Sequence, residues 1–436
     1  MKFKHKNVLV YGMSSSGEWA SKLLLRLKAN VFLYDDNMSV LRSKNIGKCF
    51  LVQELNENLI RQFDFIVISP SITQDNPNLV IAKKHNIKIY SEVEFASLFA
   101  KKMVAVTGTN GKTTTVQLIS AILNKKYKAL ACGNIGYPLS RAVIEQPKAI
   151  KVVEVSSFML ENADLFSPHV ATILNIEPDH LVRHKTMAEY TRLKYNIFNN
   201  ICMTDYVVIN LDDNIHSTKT CYTVTYSMKY IADVYVKNGY IFLHNHKIAG
   251  LNELKLKGKH NIYNIMCAIC FAYIYKVSPK KIREALLNFD LERFRIEYIG
   301  KVNDINFIND SKSTNISSTL ACVDTVKGAI ILLLGGSEKG LDYTQLFSRL
   351  SKRVKQIYAF GKIADILLSL GKGHFDIVKC DTLRDAFEKA VLTAKPNDSI
   401  VLSPASASYD QYANYVERGK DFNKLVNEYA NQSKEK

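Results

Sequence analysis

Between Val104 and Thr114 the chain reads Val104-Ala-Val-Thr-Gly108-Thr-Asn-Gly111-Lys112-Thr113-Thr114, an apolar run followed by two glycines, a lysine and hydroxyl residues. Glycines let backbone N–H groups turn toward phosphate oxygens, and a helix starting there adds its positive N-terminus. Lys112 is then placed to reach the β- and γ-phosphates of a nucleotide, and Thr113 to bind Mg²⁺ through its hydroxyl. The strict G-x-x-x-x-G-K-[ST] pattern is not met, because Val106 stands where its first glycine belongs. Downstream, Glu154 closes one apolar run, and Asp179 and His180 follow another that ends at Asn175. Magnesium takes hard oxygen ligands, with an occasional imidazole, beside nucleotide phosphates. Either group alone is compatible with an ordinary polar loop; behind a phosphate loop, the metal requirement of phosphoryl transfer makes Glu154 and His180 candidates.

The elements that must position these groups alternate β-branched runs with helical patterns, as βαβ units do. Val8 to Tyr11, Val31 to Tyr34 and Phe65 to Ile68 read as buried strands, with a helix over Trp19 to Leu27. A second unit starts near Val104, with a helix from about Thr113 to Leu123 and strands at Val152 to Val155 and Val170 to Leu174. A third follows Arg293, with strands at Phe307 to Ile308, Ala329 to Leu334, Gln356 to Phe360 and Ser399 to Leu402. The expected fold class is α/β in three successive domains, at 1–92, 93–292 and 293–436, in keeping with a length of 436 residues.

Composition narrows the classes. The chain is 47% hydrophobic, enough to bury sizeable cores, yet no run approaches the roughly 18 apolar residues of a membrane span. Val8 to Tyr11 is too short for the core of a signal peptide, so a cytoplasmic protein is expected. Eight scattered cysteines lack the dense spacing of a disulfide framework. Cys267 and Cys270 form the only C-x-x-C, inside an apolar stretch and without a second pair to complete a zinc site, so they read as small buried side chains. The net charge of +17 is mostly lysine spread along the chain, without the clustered basic and aromatic stripe of a nucleic-acid surface. Such a field instead suits small anionic substrates.

The motifs recur in an order that resembles the Mur ligase family. Gly108-Thr-Asn-Gly-Lys-Thr-Thr114, Gly133-Asn-Ile-Gly136, Glu154-Val-Ser-Ser-Phe158, Asn175-Ile-Glu-Pro-Asp-His180, His260-Asn-Ile-Tyr-Asn264, Asn309-Asp-Ser-Lys-Ser-Thr-Asn315, Gly335-Gly-Ser-Glu-Lys-Gly340 and Leu402-Ser-Pro-Ala-Ser-Ala-Ser-Tyr-Asp-Gln411 look like its successive signatures, covering nearly the whole chain. Asn309 to Asn315, Leu402 to Gln411, Glu417-Arg-Gly419 and Ser69-Pro-Ser-Ile72 resemble the member that adds D-glutamate. The resemblance implies a Rossmann-like N-terminal domain for a UDP-sugar, a central domain like a P-loop ATPase, and a Rossmann-like C-terminal domain for D-glutamate. It implies ligation of D-glutamate to UDP-N-acetylmuramoyl-L-alanine with ATP and two magnesium ions, by a monomer without nucleic-acid or membrane partners.

The same resemblance implies residue roles. Gly108, Thr109, Asn110, Gly111, Lys112, Thr113 and Thr114 would bind ATP, with Asn264, Arg295 and Asp310 also on the nucleotide. Thr113, Glu154, His180 and Lys194, the last as a carbamate, would hold metal. Ser14, Ser15, Asp35 and Asn134 would hold the UDP-sugar, and Lys312, Thr314, Lys339, Ser408 and Tyr415 would face D-glutamate. Three positions depart from the family pattern: Val182 replaces a common aspartate, Phe294 a common histidine, and Ser71 the glycine of Ser-Pro-Gly.

Two other classes compete. Gly12-Met-Ser-Ser-Ser-Gly17, with Asp35 further on, resembles a dinucleotide fingerprint, but Ser14 occupies the second glycine position, where the backbone must approach a pyrophosphate. A binding protein that retains the fold without catalysis would have no need of Lys112, Glu154 and His180 together.

Overall fold

The computed structural model describes residues 3–37, 41, 46–217, 219–289, 294–338, 341 and 343–433. Lys339 lies outside the described residues, as does the side chain of Val182. Among the described residues the strands form three sheets of five, nine and six strands. The chain gathers into two compact units. The first comprises Met1–Ile176, Thr186–Lys255 and Asn261–Phe289; the second comprises Glu177–Lys185, Leu256–His260 and Asp290–Lys436.

The first unit holds two sheets. In the smaller, the order is Phe50–Leu51, Asn30–Tyr34, Asn7–Tyr11, Phe65–Ile68, Lys88–Ser91, all parallel. The central strands Asn7–Tyr11 and Phe65–Ile68 are almost wholly buried, as a parallel sheet covered on both faces requires. In the larger sheet, Met103–Thr107 lies between Ile150–Glu154 and Val170–Ile173, parallel to both. Three strands absent from the sequence reading, Val234–Lys237, Tyr240–Leu243 and His246–Gly250, close its far edge as an antiparallel meander.

A single apolar cluster runs from Phe3, Val8 and Val10 through Phe95 to Leu139, Phe166 and Ile173, so the two sheets of this unit share one core. The helix Glu92–Ser97 is set into that seam. It is capped by the Ser91 hydroxyl, yet it buries Glu92 and Glu94. One oxygen of each carboxyl accepts a backbone N–H, from Ser140 at 2.7 Å and from Leu165 at 2.6 Å. Burial pushes both carboxyls up to about 7, because the charged form loses its water.

The second unit is built on a six-stranded sheet in the order Glu297–Val302, Ile305–Asn309, Ser399–Leu402, Ile330–Gly335, Val354–Phe360, Ile377–Cys380. All pairs are parallel except the first, whose antiparallel strand turns back through Asn303 and Asp304. Two apolar clusters cover its faces, one around Leu332 and Ile357, the other around Leu333 and Phe387. All eight cysteines are free thiols, and Cys267 and Cys270 are fully buried on the helix Lys259–Ile274, as the sequence reading expects. Among the described residues no helix is long and apolar enough to cross a membrane.

Candidate active site

In an open parallel sheet, ligands collect beyond the carboxyl ends of neighbouring strands. Here those ends belong to Met103–Thr107, Ile150–Glu154 and Val170–Ile173, which register Val106 beside Glu154 and Thr107 beside Ile173. The residues leaving these strands are the glycine loop, Glu154 and Asn175, so the sheet itself brings them together. The loop turns into the helix Lys112–Leu123 at Gly111, whose φ of +80° is left-handed. A Cβ there would also lie 2.3 Å from Oδ1 of Asn264, so glycine is required twice over. The first helical turn leaves its backbone N–H groups without intrahelical acceptors.

Thr113 donates its hydroxyl to Oε2 of Glu154 at 2.6 Å, and the amide of Asn134 donates to Oε1 at 2.9 Å. Glu154 is buried and, among the described residues, forms no ion pair. The Lys112 ammonium donates to the carbonyls of Gly108 at 2.8 Å and Thr109 at 2.7 Å. Lys194, with about 1% of its surface exposed, donates to the same Gly108 carbonyl at 2.8 Å and stands 4.6 Å above the Tyr190 ring. The Tyr190 hydroxyl and the Thr109 hydroxyl share a hydrogen bond at 3.1 Å. Thr114 is buried on the helix behind the loop. The structure thus gathers Gly108 to Thr114, Glu154, Lys194, Asn134 and Asn264 around one strand end.

For magnesium, the test is the donor set. The Thr113 hydroxyl and the Glu154 carboxylate are hard oxygen donors 2.6 Å apart, buried, and without a lysine or arginine neutralising the acid among the described residues. That pair fits an ion that takes one or two protein oxygens and completes its shell with phosphates and water. Among the described residues no three His, Cys, Asp or Glu side chains cluster as a metal cage of their own.

The residues expected to hold a UDP-sugar, Ser14, Ser15 and Asp35, lie just beyond the carboxyl ends of Asn7–Tyr11 and Asn30–Tyr34, interior strands of the five-stranded sheet. Ser14 and Ser15 are exposed at the start of the helix Ser15–Arg26, and Ser14 shares a bond with Ser69 at 3.1 Å. Asp35 accepts the N–H groups of Met13 at 2.6 Å and Asn37 at 2.9 Å, so it fixes the loop beside Gly12.

In the second unit the carboxyl ends of Ile305–Asn309, Ser399–Leu402 and Ile330–Gly335 lie side by side, with the residues expected to meet nucleotide and D-glutamate around them. Asp310 is fully buried, accepting from Ser403 at 2.7 Å and from the Ile296 N–H at 3.1 Å, and burial raises its carboxyl above the ordinary range. The Arg295 Nε–H is buried with no hydrogen-bond partner among the described residues. Phe294 beside it adopts a φ of +65°, uncommon for a bulky side chain. His260 is pushed down to about 4, first by burial and then by the Arg295 charge. Lys312 stands 5.5 Å over the Tyr415 ring, Thr314 is half-buried two residues on, and Ser408 is buried. Within this unit His180 has a left-handed φ of +54°. Asp179 accepts its N–H at 2.9 Å and also binds the Asn315 amide at 3.2 Å.

Two residues without a role in the sequence reading carry much of this framework. Arg418, fully buried, donates to the Ser311 hydroxyl and carbonyl and to the carbonyls of Ser406, Ala407 and Gly335. One guanidinium thereby ties together the three segments that contain Lys312, Ser408 and Gly336, and burial pulls it down to about 10. Asn175 does similar work on the glycine loop. Both stand inside signatures the sequence reading quotes, yet their roles are not readable there, because their partners arrive only through tertiary folding.

Residues 106–272 match the family described as Mur ligase middle domain, and residues 294–406 match Mur ligase, glutamate ligase domain. The UDP-N-acetylmuramoylalanine--D-glutamate ligase of Thermoanaerobacter pseudethanolicus is 35% identical, over 98% of this chain and 99% of its own. Among solved structures, a pseudomurein peptide ligase type C from Methanothermus fervidus superposes with a TM-score of 0.62 at 19% identity, over 97% of this chain and 100% of its own. The UDP-N-acetylmuramate-alanine ligase of Thermotoga maritima gives 0.62 at 17%, over 98% and 100%. The strand-end loop with its lysine, the Thr113–Glu154 pair and a full-length relative at 35% identity agree: the chain belongs to the Mur ligase family.

Proposed function

We propose that this chain joins D-glutamate to UDP-N-acetylmuramoyl-L-alanine at the expense of ATP, in peptidoglycan precursor synthesis. The observation that carries the chemistry is the buried Thr113–Glu154 pair set against the Lys112 loop. The choice of amino acid rests on the full-length relatives named as D-glutamate ligases.

A carboxylate is a poor acylating agent. In this reading the γ-phosphoryl group of ATP moves to an oxygen of the L-alanyl carboxylate, giving an acyl phosphate and ADP. The amine of D-glutamate attacks the acyl carbon, the tetrahedral intermediate loses phosphate, and an amide remains. Lys112 and the N–H groups from Gly108 to Thr114 offset charge on the transferring group, where preorganised electrostatics contribute most. Magnesium, two ions in this reading, supplies further positive charge when bound, with Thr113, Glu154, His180 and a carbamylated Lys194 as its protein ligands. Lys194 is buried against the Gly108 carbonyl, beside the loop that would hold the phosphates, which supports the carbamate reading. Asn264, Arg295 and Asp310 hold the nucleotide; Ser14, Ser15, Asp35 and Asn134 hold the UDP-sugar; Lys312, Thr314, Lys339, Ser408 and Tyr415 face D-glutamate. The enzyme acts as a cytoplasmic monomer on small molecules alone.

A phosphate-release assay with ATP, Mg²⁺ and UDP-N-acetylmuramoyl-L-alanine tests this, offering amino acids one at a time. Turnover with D-glutamate and not with L-alanine, L-lysine or meso-diaminopimelate is expected. Equal rates for all of them, or none with D-glutamate, would overturn the assignment.

A further inference from the structure

The geometry points to Asn175 as the positioning residue that fixes the phosphate loop, by holding both peptides that flank Asn110. This rests on the reading of residues 108–114 as the ATP-binding loop.

Asn175 offers the loop three polar groups. Its backbone carbonyl accepts the Thr109 N–H at 2.9 Å. Its side-chain Oδ1 accepts the Asn110 N–H at 2.8 Å, and its Nδ2 donates to the Asn110 carbonyl at 3.1 Å. The side-chain amide therefore pairs with Asn110 as a neighbouring strand would, donor to acceptor and acceptor to donor.

A trans peptide is planar, with its N–H and C=O pointing in opposite directions. Two consequences follow. In the peptide joining Thr109 to Asn110, the N–H is held by Asn175, so the carbonyl faces the other way, where it accepts from Lys112 at 2.7 Å. Asn175 and Lys112 thus grip opposite ends of one peptide. In the next peptide the Asn110 carbonyl is held by Asn175, so the Gly111 N–H is aimed away from Asn175. Gly111 adopts a left-handed φ of +80°, a region in which a glycine peptide flips readily unless something holds it. The amide pair blocks that flip.

This division of labour matters when nucleotide binds. The Lys112 ammonium must leave the Gly108 and Thr109 carbonyls to meet a phosphate, and the loop then loses two of its bonds. Asn175 remains, keeping the Gly111 N–H presented while the lysine turns. It touches no substrate in this account and acts only through the loop.

The test uses the full-length protein and three variants, Asn175→Ala, Asn175→Ser and Lys112→Ala, with Kd for ATP and AMP measured by calorimetry and KM for each substrate by phosphate release. In this reading the loop and Lys112 serve the β- and γ-phosphates, which AMP lacks, so Asn175→Ala is expected to weaken ATP binding about 10–100-fold, as the loss of two hydrogen bonds predicts. AMP affinity and the KM for D-glutamate are expected to stay within about twofold, with Asn175→Ser, too short to span both groups, behaving likewise if the alanine variant fails to fold. Wild-type ATP affinity in a folded Asn175 variant, or parallel losses for ATP and AMP, would overturn the positioning role. An unchanged ATP affinity in Lys112→Ala would instead remove the phosphate-loop reading on which it rests.

Discussion

The Lys112 ammonium rests on two neutral carbonyls, those of Gly108 and Thr109, and a phosphate oxygen outcompetes both because it carries a full negative charge of its own. Lys112→Ala is therefore expected to lower kcat by about 10²–10³ while leaving circular dichroism and melting unchanged; near-normal turnover would remove its role. Lys194 differs in being buried, so its removal opens a polar gap beside the Gly108 carbonyl. If it acts as a carbamate, Lys194→Ala should be nearly inactive and partly restored by acetate, whose oxygens occupy the vacated positions. Full activity without added carboxylate would dismiss the carbamate. Lys112, Thr113 and Glu154 were legible in the sequence because glycine spacing and strand ends are local signals. The roles of Asn175 and Arg418, though both stand in quoted signatures, were not, since each acts through partners 65 and 107 residues away.

Among elements, the helix Glu92–Ser97 makes the sharpest departure from expectation, for acids in a first turn usually face water and the N-terminal dipole. Here Glu92 and Glu94 are buried and shifted to about 7, facing Ser140 in one case and Leu165, Lys88 and Asp164 in the other. The folded state binds protons that the unfolded chain releases near the ordinary carboxyl value of 4.5, so these two acids cost stability progressively as pH rises from about 4.5 to about 7. Replacing either with Gln keeps the acceptor for the backbone N–H and removes the titration. Each such variant should gain about 2–4 °C in Tm at pH 8 and almost nothing at pH 5, read by calorimetry; equal gains at both pH values would show that charge is not the cause. The parallel strands were legible because burial on both faces makes them continuous apolar runs. The meander at Val234–Gly250 was not, because its strands are short and only half-buried, as in the alternating burial of Tyr240–Leu243.

For the whole molecule, the order of elements along the chain suggested three successive domains, and the three sheets follow that order. Compactness follows it less closely, since the second unit takes in Glu177–Lys185 and Leu256–His260 from the middle of the chain. Within that unit Asp179 accepts from Asn315, whose own carbonyl oxygen caps the helix Ile316–Thr325. A fragment spanning 294–436 lacks both short segments, so it should melt several degrees below the transition of the same unit in the intact chain. Identical midpoints in calorimetry would show that the segments add no stability.

That interleaving also has a consequence for synthesis. Asp179 and Asn315 are 136 residues apart, and at about 5–20 residues per second the amide leaves the ribosome roughly 7–27 s after the acid it will bind. The strand ends that build the glycine loop, from Met103 to Ile173, emerge before Asp179 does. On a growing chain the phosphate loop can therefore close early, whereas the bond between Asp179 and Asn315 must wait until residue 315 has been made.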